Sequence, residues 1–271
     1  MSYFSTFKLR ENIYQFKDKM GVLATLIIGE EKALLVDTCY GIANLKEHVE
    51  TITNKPLIVI ASHGHMDHTG GNYHFNEVFI TKADKELCEL HNSEKWRKNV
   101  LNNALNLGII DDTFDKETFL KMRDGNLVEV EIGTVFDLGN ISAEVVNMEG
   151  HTKGSIGIYV KEEKVLVVTD ATCPWVWMFL PESTTVETYI NMLECIIKLD
   201  FEYILLGHGK GELVDRSRIY EFLKVAKEID LNEAVKVEFN NFENANSYAY
   251  SKGERYNQNH AGIVFDPNKL K

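Results

Sequence analysis

The chain has 271 residues, of which 44% are hydrophobic and 26% are charged, and it contains only 4 prolines. This composition is that of a globular protein and excludes collagen-like, low-complexity and disordered classes. The net charge of −12 disfavours nucleic acid as a partner, because an acidic surface repels phosphates. No apolar segment after Met1 resembles a signal peptide, and apolar runs such as 57–61 are too short to cross a bilayer. We therefore expect a cytoplasmic protein that binds no membrane.

Apolar patterning in the first part of the chain predicts short strands and a helix. Residues 24–37 are typical of a hairpin with a charged turn. Helical spacing of apolar residues follows at 42–53 and ends before Pro56. Residues 57–61 form a continuous run of the kind found in strands that are buried on both faces. Strand, helix and strand in this order favour a layered α/β fold.

The rest of the chain continues this pattern and contains one long helical stretch. Residues 82–122 are predicted to be helical, with breaks near Ser93 and Gly108. Further strands are predicted at 78–81, 127–132, 141–147, 155–160, 165–170 and 203–206, and further helices at 186–199 and 215–229. Because no linker divides the chain, we predict one domain over 1–271, with a helical insertion at about 82–122 and a C-terminal extension at about 234–271. The extension mixes strand-like pieces with asparagine-rich loops.

Four scattered cysteines form no CxxC pair. In a chain without an export signal we expect free thiols rather than a disulfide framework. Cys173 lies close in sequence to Asp170, yet a small packed side chain is the simpler interpretation of it.

A dense group of polar side chains lies where the strand predicted at 57–61 gives way to a loop. The run His63-Gly-His-Met-Asp-His-Thr-Gly-Gly71 contains three histidines and one aspartate, which are costly to bury without partners. Imidazole and carboxylate groups suit zinc, iron and manganese. Three later segments also place a histidine or an aspartate at the end of a predicted strand. We therefore predict a site for two metal ions with seven ligands: His63, His65, Asp67, His68, His151, Asp170 and His208.

The order of these segments resembles that of the metallo-β-lactamase superfamily. The HxHxDH run, Gly-His151-Thr, the strand-ending Asp170 and Gly-His208-Gly carry the resemblance, which spans roughly residues 20 to 210. It implies an α/β (α+β) fold, a four-layer αβ/βα sandwich of two mixed β-sheets flanked by helices, with the site along one edge.

The resemblance also implies a role for each ligand. The first metal would be bound by His63, His65 and His151, and the second by Asp67, His68 and His208, with Asp170 bridging the two. Asp37, at the end of its own predicted strand, matches a position that supports the ligand loop, although an ordinary turn residue would look the same.

Two ligand positions differ from those of particular branches of the family and so reduce the number of activities to consider. His65 stands where the diiron oxygen reductases carry Glu, and Asp170 stands where the true β-lactamases usually carry Cys or Ser. Both features argue against those branches, and the acidic composition argues against the nucleases. Glyoxalase-II-like thioesterases and lactonases of this fold remain compatible with the ligand set.

We predict a dinuclear hydrolase that uses two divalent ions, Zn²⁺ in preference to Fe or Mn, and a metal-bridging hydroxide to cleave a small ester, thioester or lactone. Asp67 would orient the nucleophile and pass a proton to the leaving group. A phosphodiesterase acting on small phosphoesters, a non-haem iron redox enzyme and a metal-binding protein without turnover are the alternatives. The metal that is bound separates the redox alternative from hydrolysis, because zinc does no one-electron chemistry.

Aromatic residues directly after Asp170 suggest a substrate pocket. Trp175, Trp177 and Phe179 would form its apolar wall. A core plug or a subunit contact is an equal alternative, so a homodimer is compatible with the sequence. The helical stretch at 82–122 would act as a lid over the site or as a dimer surface.

Overall fold

A computed structural model of the protein describes residues 2–239, 245–252 and 260–271. Its first sheet contains seven strands in chain order. They are Ser5–Lys8 (β1), Ile13–Lys17 (β2), Leu23–Ile28 (β3), Ala33–Val36 (β4), Leu57–Ile60 (β5), Glu77–Ile80 (β6) and Asn126–Glu129 (β7). Strands β1 to β4 pair antiparallel, whereas β4 to β7 pair parallel, so the sheet is mixed.

The second sheet contains six strands in the order β14-β13-β11-β10-β9-β8. They are Val135–Asp137 (β8), Ser142–Asn147 (β9), Ile156–Val160 (β10), Val165–Thr169 (β11), Tyr203–Leu206 (β13) and Val214–Asp215 (β14). Only β11 and β13 pair parallel, so this sheet is mixed as well. The strand that lies between β11 and β13 in the chain belongs to a third sheet.

Seven helices accompany the sheets within the described residues. They are Leu45–Glu50 (α1), Met66–Thr69 (α2), Lys82–His91 (α3), Glu94–Asn106 (α4), Lys116–Lys121 (α5), Val186–Ile196 (α6) and Ser217–Lys227 (α7). The predicted breaks near Ser93 and Gly108 separate α3, α4 and α5. Helix α1 is shorter than the predicted 42–53, because the Asn44 side chain caps it by accepting a hydrogen bond from the amide of Glu47.

The two large sheets pack face to face, which explains the continuous apolar runs of their strands. In β4, Leu34 and Val36 face the second sheet, whereas Ala33 and Leu35 face α1 and α3. In β11, alternate residues likewise face the first sheet and helices α6 and α7. Successive strand residues point to opposite faces, so both faces must be apolar. This layering confirms the predicted αβ/βα sandwich.

A third, four-stranded sheet in the order β12-β17-β16-β15 adds to the predicted architecture. Its strands are Trp175–Met178 (β12), Val235–Lys236 (β15), Tyr248–Ser251 (β16) and Gly262–Phe265 (β17). The strands within 5–17 and the strand at 175–178 were not predicted from the sequence. Tail residues 240–244 and 253–259 lie outside the described residues. Along the part of the chain that is described, every helix is too short or too polar to span a bilayer.

Candidate metal centre

Strand ends of both large sheets deliver polar side chains to one edge of the sandwich. Strand β4 leads to Asp37, and β5, parallel to it, leads to Ser62 and His63. In the second sheet, the parallel strands β11 and β13 lead to Asp170 and His208. His151 lies in the connection between β9 and β10. Rigid strands that end at a common edge bring side chains from distant parts of the chain together.

His63, His65 and His151 form a buried cluster that we call the first set. Their exposed fractions are 1%, 8% and 4%. His65 Nδ1 lies 3.1 Å from His63 Nε2 and 2.9 Å from His151 Nε2. The structure thus brings together the three residues that the resemblance assigns to the first metal.

Hydrogen bonds on the outer side of each ring determine which nitrogen carries the proton. His151 Nδ1 donates to the backbone oxygen of Trp177 at 2.8 Å, and His65 Nε2 donates to Glu182 Oε1 at 2.8 Å. Ser62 Oγ donates to Asp37 Oδ2 and is left to accept from His63 Nδ1 at 3.0 Å. All three rings therefore turn a lone pair inward, and lone pairs this close repel one another unless a cation lies between them. Zinc with bonds of about 2.0–2.1 Å to nitrogen needs ligand atoms at about this spacing, so the first set fits a metal ion.

Asp67, His68, Asp170 and His208 form the second set. His208 Nε2 lies 3.3 Å from Asp67 Oδ2 and 3.4 Å from Asp170 Oδ2. Within the described part of the chain, His68 Nε2 is among the buried atoms with no hydrogen-bond partner, and it faces Asp67 and Asp170 at 3.5 and 3.3 Å. His68 Nδ1 donates to Asp37 Oδ2 at 2.7 Å, so Nε2 is left to bind a cation together with the carboxylate oxygens that it faces. This arrangement also fits a cation.

Asp170 connects the two sets. Its Oδ2 lies 3.8 Å from His151 Nε2 and 3.4 Å from His208 Nε2. The Cys173 thiol donates to Asp170 Oδ1 at 3.3 Å. This cysteine is therefore a packed side chain that also forms a hydrogen bond to a candidate ligand. All four cysteines are free thiols, as expected. The position of Asp170 matches the bridging place that the resemblance implies.

Electrostatics differ between the sets. Burial, reinforced by His65, lowers the pKa of His151 to about 4, and burial with neighbouring histidines holds the pKa of His63 well below its ordinary value. Burial alone would lower the pKa of His208, but Asp170 and Asp67 raise it to about 10. The lowered pKa values of His63 and His151 favour their neutral form, whereas the raised pKa of His208 places positive charge beside two carboxylates.

Asp37 supports both sets from a fully buried position. Its Oδ1 accepts from the Ser62 amide at 2.7 Å, and its Oδ2 accepts from Ser62 Oγ and from His68 Nδ1. Asp37 has a φ of 68°, in the left-handed region that costs a non-glycine residue energy. The strained backbone is compensated by the three buried hydrogen bonds that the carboxylate accepts. This placement agrees with the supporting role that the resemblance implies.

Asp84, which the sequence did not indicate, connects the ligand loops, and Gly207 of the Gly-His208-Gly motif leaves room for the ligands. Asp84 of α3 is 1% exposed and accepts from the amides of Gly64 and Gly154 and from Thr152 Oγ1, at 2.9, 2.8 and 2.6 Å. A Cβ at Gly207 would lie 2.4 Å from Asp170 Oδ1 and 2.8 Å from His68 Cε1, so only glycine fits there. The aspartate carries no local signal, because its partners come from elsewhere in the chain.

His91 and Glu182 were also missed, although they lie beside the first set. They form a third metal-competent group with His65. The His91 ring stacks on His65, with centroids 4.9 Å apart, and on Trp96 at 4.0 Å. His91 lies in the helical stretch predicted at 82–122 and was given no function there, and it is 8% exposed. His74 belongs to none of the three groups and packs on Tyr73 instead.

The aromatic residues after Asp170 pack against the tail. Trp175 and Phe179 are 8% and 6% exposed and belong to a cluster with β16 and β17. The half-buried Trp177 ring contacts Phe179 and Phe239, with centroids 5.4 and 4.8 Å apart. The backbone of Trp177 reaches the site through His151. Their role as a pocket wall stays a prediction.

A cleft of about 280 Å³ opens beside His208. Its lining includes the buried Gln15 and Thr172 and the cationic side chains of Lys210 and Arg218. Gln15 Oε1 and Thr172 Oγ1 are buried and have no hydrogen-bond partner within the described residues. Glu212 is the acidic side chain of the lining, where Lys210 and Arg218 outnumber it, and Arg218 also pairs with Glu221 at 2.9 Å.

Known proteins are similar to this chain in sequence and in fold. Residues 18–208 match the family model described as the metallo-beta-lactamase superfamily. The chain is 26% identical over 222 residues to the human acyl-coenzyme A thioesterase MBLAC2, which covers 74% of this chain and 77% of that protein.

Solved structures agree with the fold. The metallo-beta-lactamase from Pontibacter korlensis superposes with a TM-score of 0.57 at 15% identity and covers 83% of this chain and 100% of its own. The inverting sec-alkylsulfatase Pisa1 from Pseudomonas sp. superposes with a TM-score of 0.58 at 16% identity over 80% of this chain, which spans only 40% of that longer protein. Because the family model covers more than half of the chain, the chain belongs to the metallo-beta-lactamase superfamily, as a hydrolase of that family.

Proposed function

We propose that the protein is a dinuclear, zinc-dependent thioesterase that hydrolyses an acyl thioester of a phosphate-bearing thiol such as coenzyme A. The observation that carries the proposal is the pair of ligand sets that share Asp170, with the cationic cleft at their edge. The similarity to acyl-coenzyme A thioesterases over most of both chains supports the same substrate class.

Each ligand set has a part in the reaction. When bound, two divalent ions supply a nucleophile at neutral pH and polarise the thioester carbonyl. His63, His65 and His151 would hold the first ion, and Asp67, His68 and His208 the second, with Asp170 shared. Asp67 is 22% exposed in its side chain, so its carboxylate can reach both the attacking water and the leaving group. It would orient the water and then carry a proton towards the departing sulfur.

The cleft beside His208 would take the thiol carrier. Lys210 and Arg218 line it, and cationic side chains bind phosphate groups. Gln15 and Thr172 belong to the lining of the same cleft. The acyl chain would then lie on the other side of the metal centre. We expect a small-molecule substrate and no nucleic-acid partner.

A metal analysis paired with a substrate panel tests the proposal. Purified protein should bind about two zinc ions per chain and should hydrolyse acyl-coenzyme A faster than a matched acyl thioester of a small uncharged thiol. The Lys210→Ala variant should raise KM for acyl-coenzyme A and leave KM for the uncharged thioester unchanged.

Other outcomes would name a different activity. Turnover of a lactone, a phosphodiester or a β-lactam, without turnover of thioesters, would replace the thioesterase assignment. One iron per chain with no hydrolysis of any substrate would overturn the hydrolytic proposal and favour redox chemistry.

A further inference from the structure

The outer sides of two first-set histidines are held by one short segment. Residues 177–183 provide the Trp177 oxygen to His151 Nδ1 at 2.8 Å and the Glu182 carboxylate to His65 Nε2 at 2.8 Å. Ser183 Oγ also donates to the His151 backbone oxygen at 2.8 Å. We call residues 177–183 the support segment. It therefore determines the orientation of two of the three rings that face the first metal position.

The support segment is itself held by a residue near the other end of the chain. Lys269 Nζ donates to the backbone oxygens of Leu180, Pro181 and Ser183. These three oxygens flank Glu182 on both sides. The ammonium group is partly buried, so bonds to it are stronger than bonds between neutral groups at the surface.

Lys269 has a defined position of its own. It ends a short 3₁₀ turn, Pro267–Lys269, whose first residue follows the capping side chain of Asp266. The amide of Glu187 in α6 donates to the neighbouring Leu270 oxygen at 3.1 Å. Lys269 therefore reaches the support segment from an anchored turn rather than from a free end.

We infer that Glu182 is a positioning residue for the ligand His65, and that Lys269 holds Glu182 in place through the support segment. This inference rests on the metal centre of the proposed function, but it does not depend on the substrate. Glu182 keeps the proton of His65 on Nε2 and the lone pair on Nδ1, aimed at the first metal position. Lys269 lies outside residues 18–208, which match the family model, so the contact comes from a part of the chain beyond that match.

Zinc affinity of the full chain is the measurement that tests this. We would titrate zinc against a chromophoric chelator in a His208→Ala background, which leaves only the first set complete. Glu182→Leu should weaken zinc binding by about 10–100-fold, as expected when a partner outside the ligand shell is lost. Glu182→Gln should weaken it less, because the amide oxygen still accepts the His65 proton.

Lys269→Met should also weaken zinc binding, by roughly threefold to tenfold. This loss is smaller than the one expected for Glu182→Leu, because Lys269 acts on His65 only through the support segment. Lys269→Arg should restore most of the affinity, and Lys271→Met, at an exposed position nearby, should leave it unchanged. If Lys269 acts through Glu182, the double variant with Glu182→Leu and Lys269→Met should bind zinc no more weakly than Glu182→Leu alone.

Wild-type affinity in Glu182→Leu would overturn the positioning role. Full additivity in the double variant would overturn the link to Lys269. If Glu182→Leu does not fold, the zinc titration of Glu182→Gln and the ¹⁵N chemical shifts of the His65 ring test the positioning role instead. A change of tautomer alters the chemical shifts of both ring nitrogens. These outcomes are distinct from failure of the proposed function, since no thioester is present. Failure of the wild-type chain to bind zinc at all would instead remove the metal centre itself.

Discussion

The two ligand sets lie side by side but hold a metal by different means. The first set consists of three imidazoles, without a carboxylate, that are at most 8% exposed. The second set includes two carboxylates, and the His208 side chain is 34% exposed. Charge attracts a cation to the second set, whereas the first set depends on the direction of its lone pairs. The difference shows why the first set needs more partners behind its rings.

Those partners are spread through the molecule. His65 and His151 depend on the support segment, and His63 depends on Ser62. In the second set, His68 depends directly on Asp37. We therefore expect that substitutions in residues 177–183 affect the first set alone, whereas changes at Asp37 or Asp170 affect both sets.

Asp170→Asn should have the largest effect, because it removes the charge that both sets share. Loss of metal-based catalysis worth several kcal/mol should lower kcat/KM by about a thousandfold or more. The measurement is steady-state hydrolysis together with zinc content. Asp200→Asn, an exposed acid with 76% of its side chain accessible, is the matched control and should keep wild-type turnover. Full turnover in Asp170→Asn would contradict the shared centre.

Gly207→Ala should separate the two sets. The added Cβ would meet Asp170 Oδ1 at 2.4 Å and His68 Cε1 at 2.8 Å, so the second set must move. Zinc affinity of the second set should fall by roughly tenfold or more, as for lost support of a metal ligand, while the first set keeps its zinc. Gly108→Ala, where a Cβ meets nothing within 4 Å, is the control for a glycine-to-alanine change away from the site and should leave zinc binding unchanged. Equal loss from both sets would show that they are not independent.

Asp84→Asn should have a smaller effect, on stability more than on chemistry. The Asp84 carboxylate accepts three buried hydrogen bonds. The amide group of asparagine would point its NH₂ at one or more of these three N–H or O–H groups, and two donors cannot bond to each other. Leaving buried polar groups unsatisfied should lower the free energy of unfolding by about 1–3 kcal/mol. For a chain of this size the melting temperature should fall by roughly 2–4 °C for each kcal/mol. Thermal unfolding beside the exposed control Asp112→Asn measures this, and an unchanged melting temperature would contradict it.

The core of the fold and the placement of ligand motifs were predictable because their signals are local. Strands buried on both faces show continuous apolar runs, and β4, β5, β11 and β13 were found in this way. Strands β1 and β12 were not, because β1 is largely exposed and β12 lies in an aromatic stretch that also suits a pocket wall. A strand at the edge of a small sheet depends on its partner, and β17 lies far along the chain from β12.

The supporting residues could not be predicted from the sequence either, because their partners also lie far along the chain. Glu182 lies 117 positions from His65, and Asp84 lies 70 positions from Gly154. Neither acid belongs to a motif, and each resembles an ordinary charged residue of a helix or a loop. Their roles depend on distance in space, which a spacing pattern does not contain.

The amino-acid sequence by itself determined the candidate ligands, the layered α/β class and the order in which strands present the ligands. Only the tertiary structure decided which nitrogen of each histidine faces inward, where the cationic cleft opens, and that Lys269 reaches the support segment. The physical reason is that motifs and apolar runs are local properties of the chain, whereas ring orientation, burial and charge environment arise only when the edges of both sheets meet.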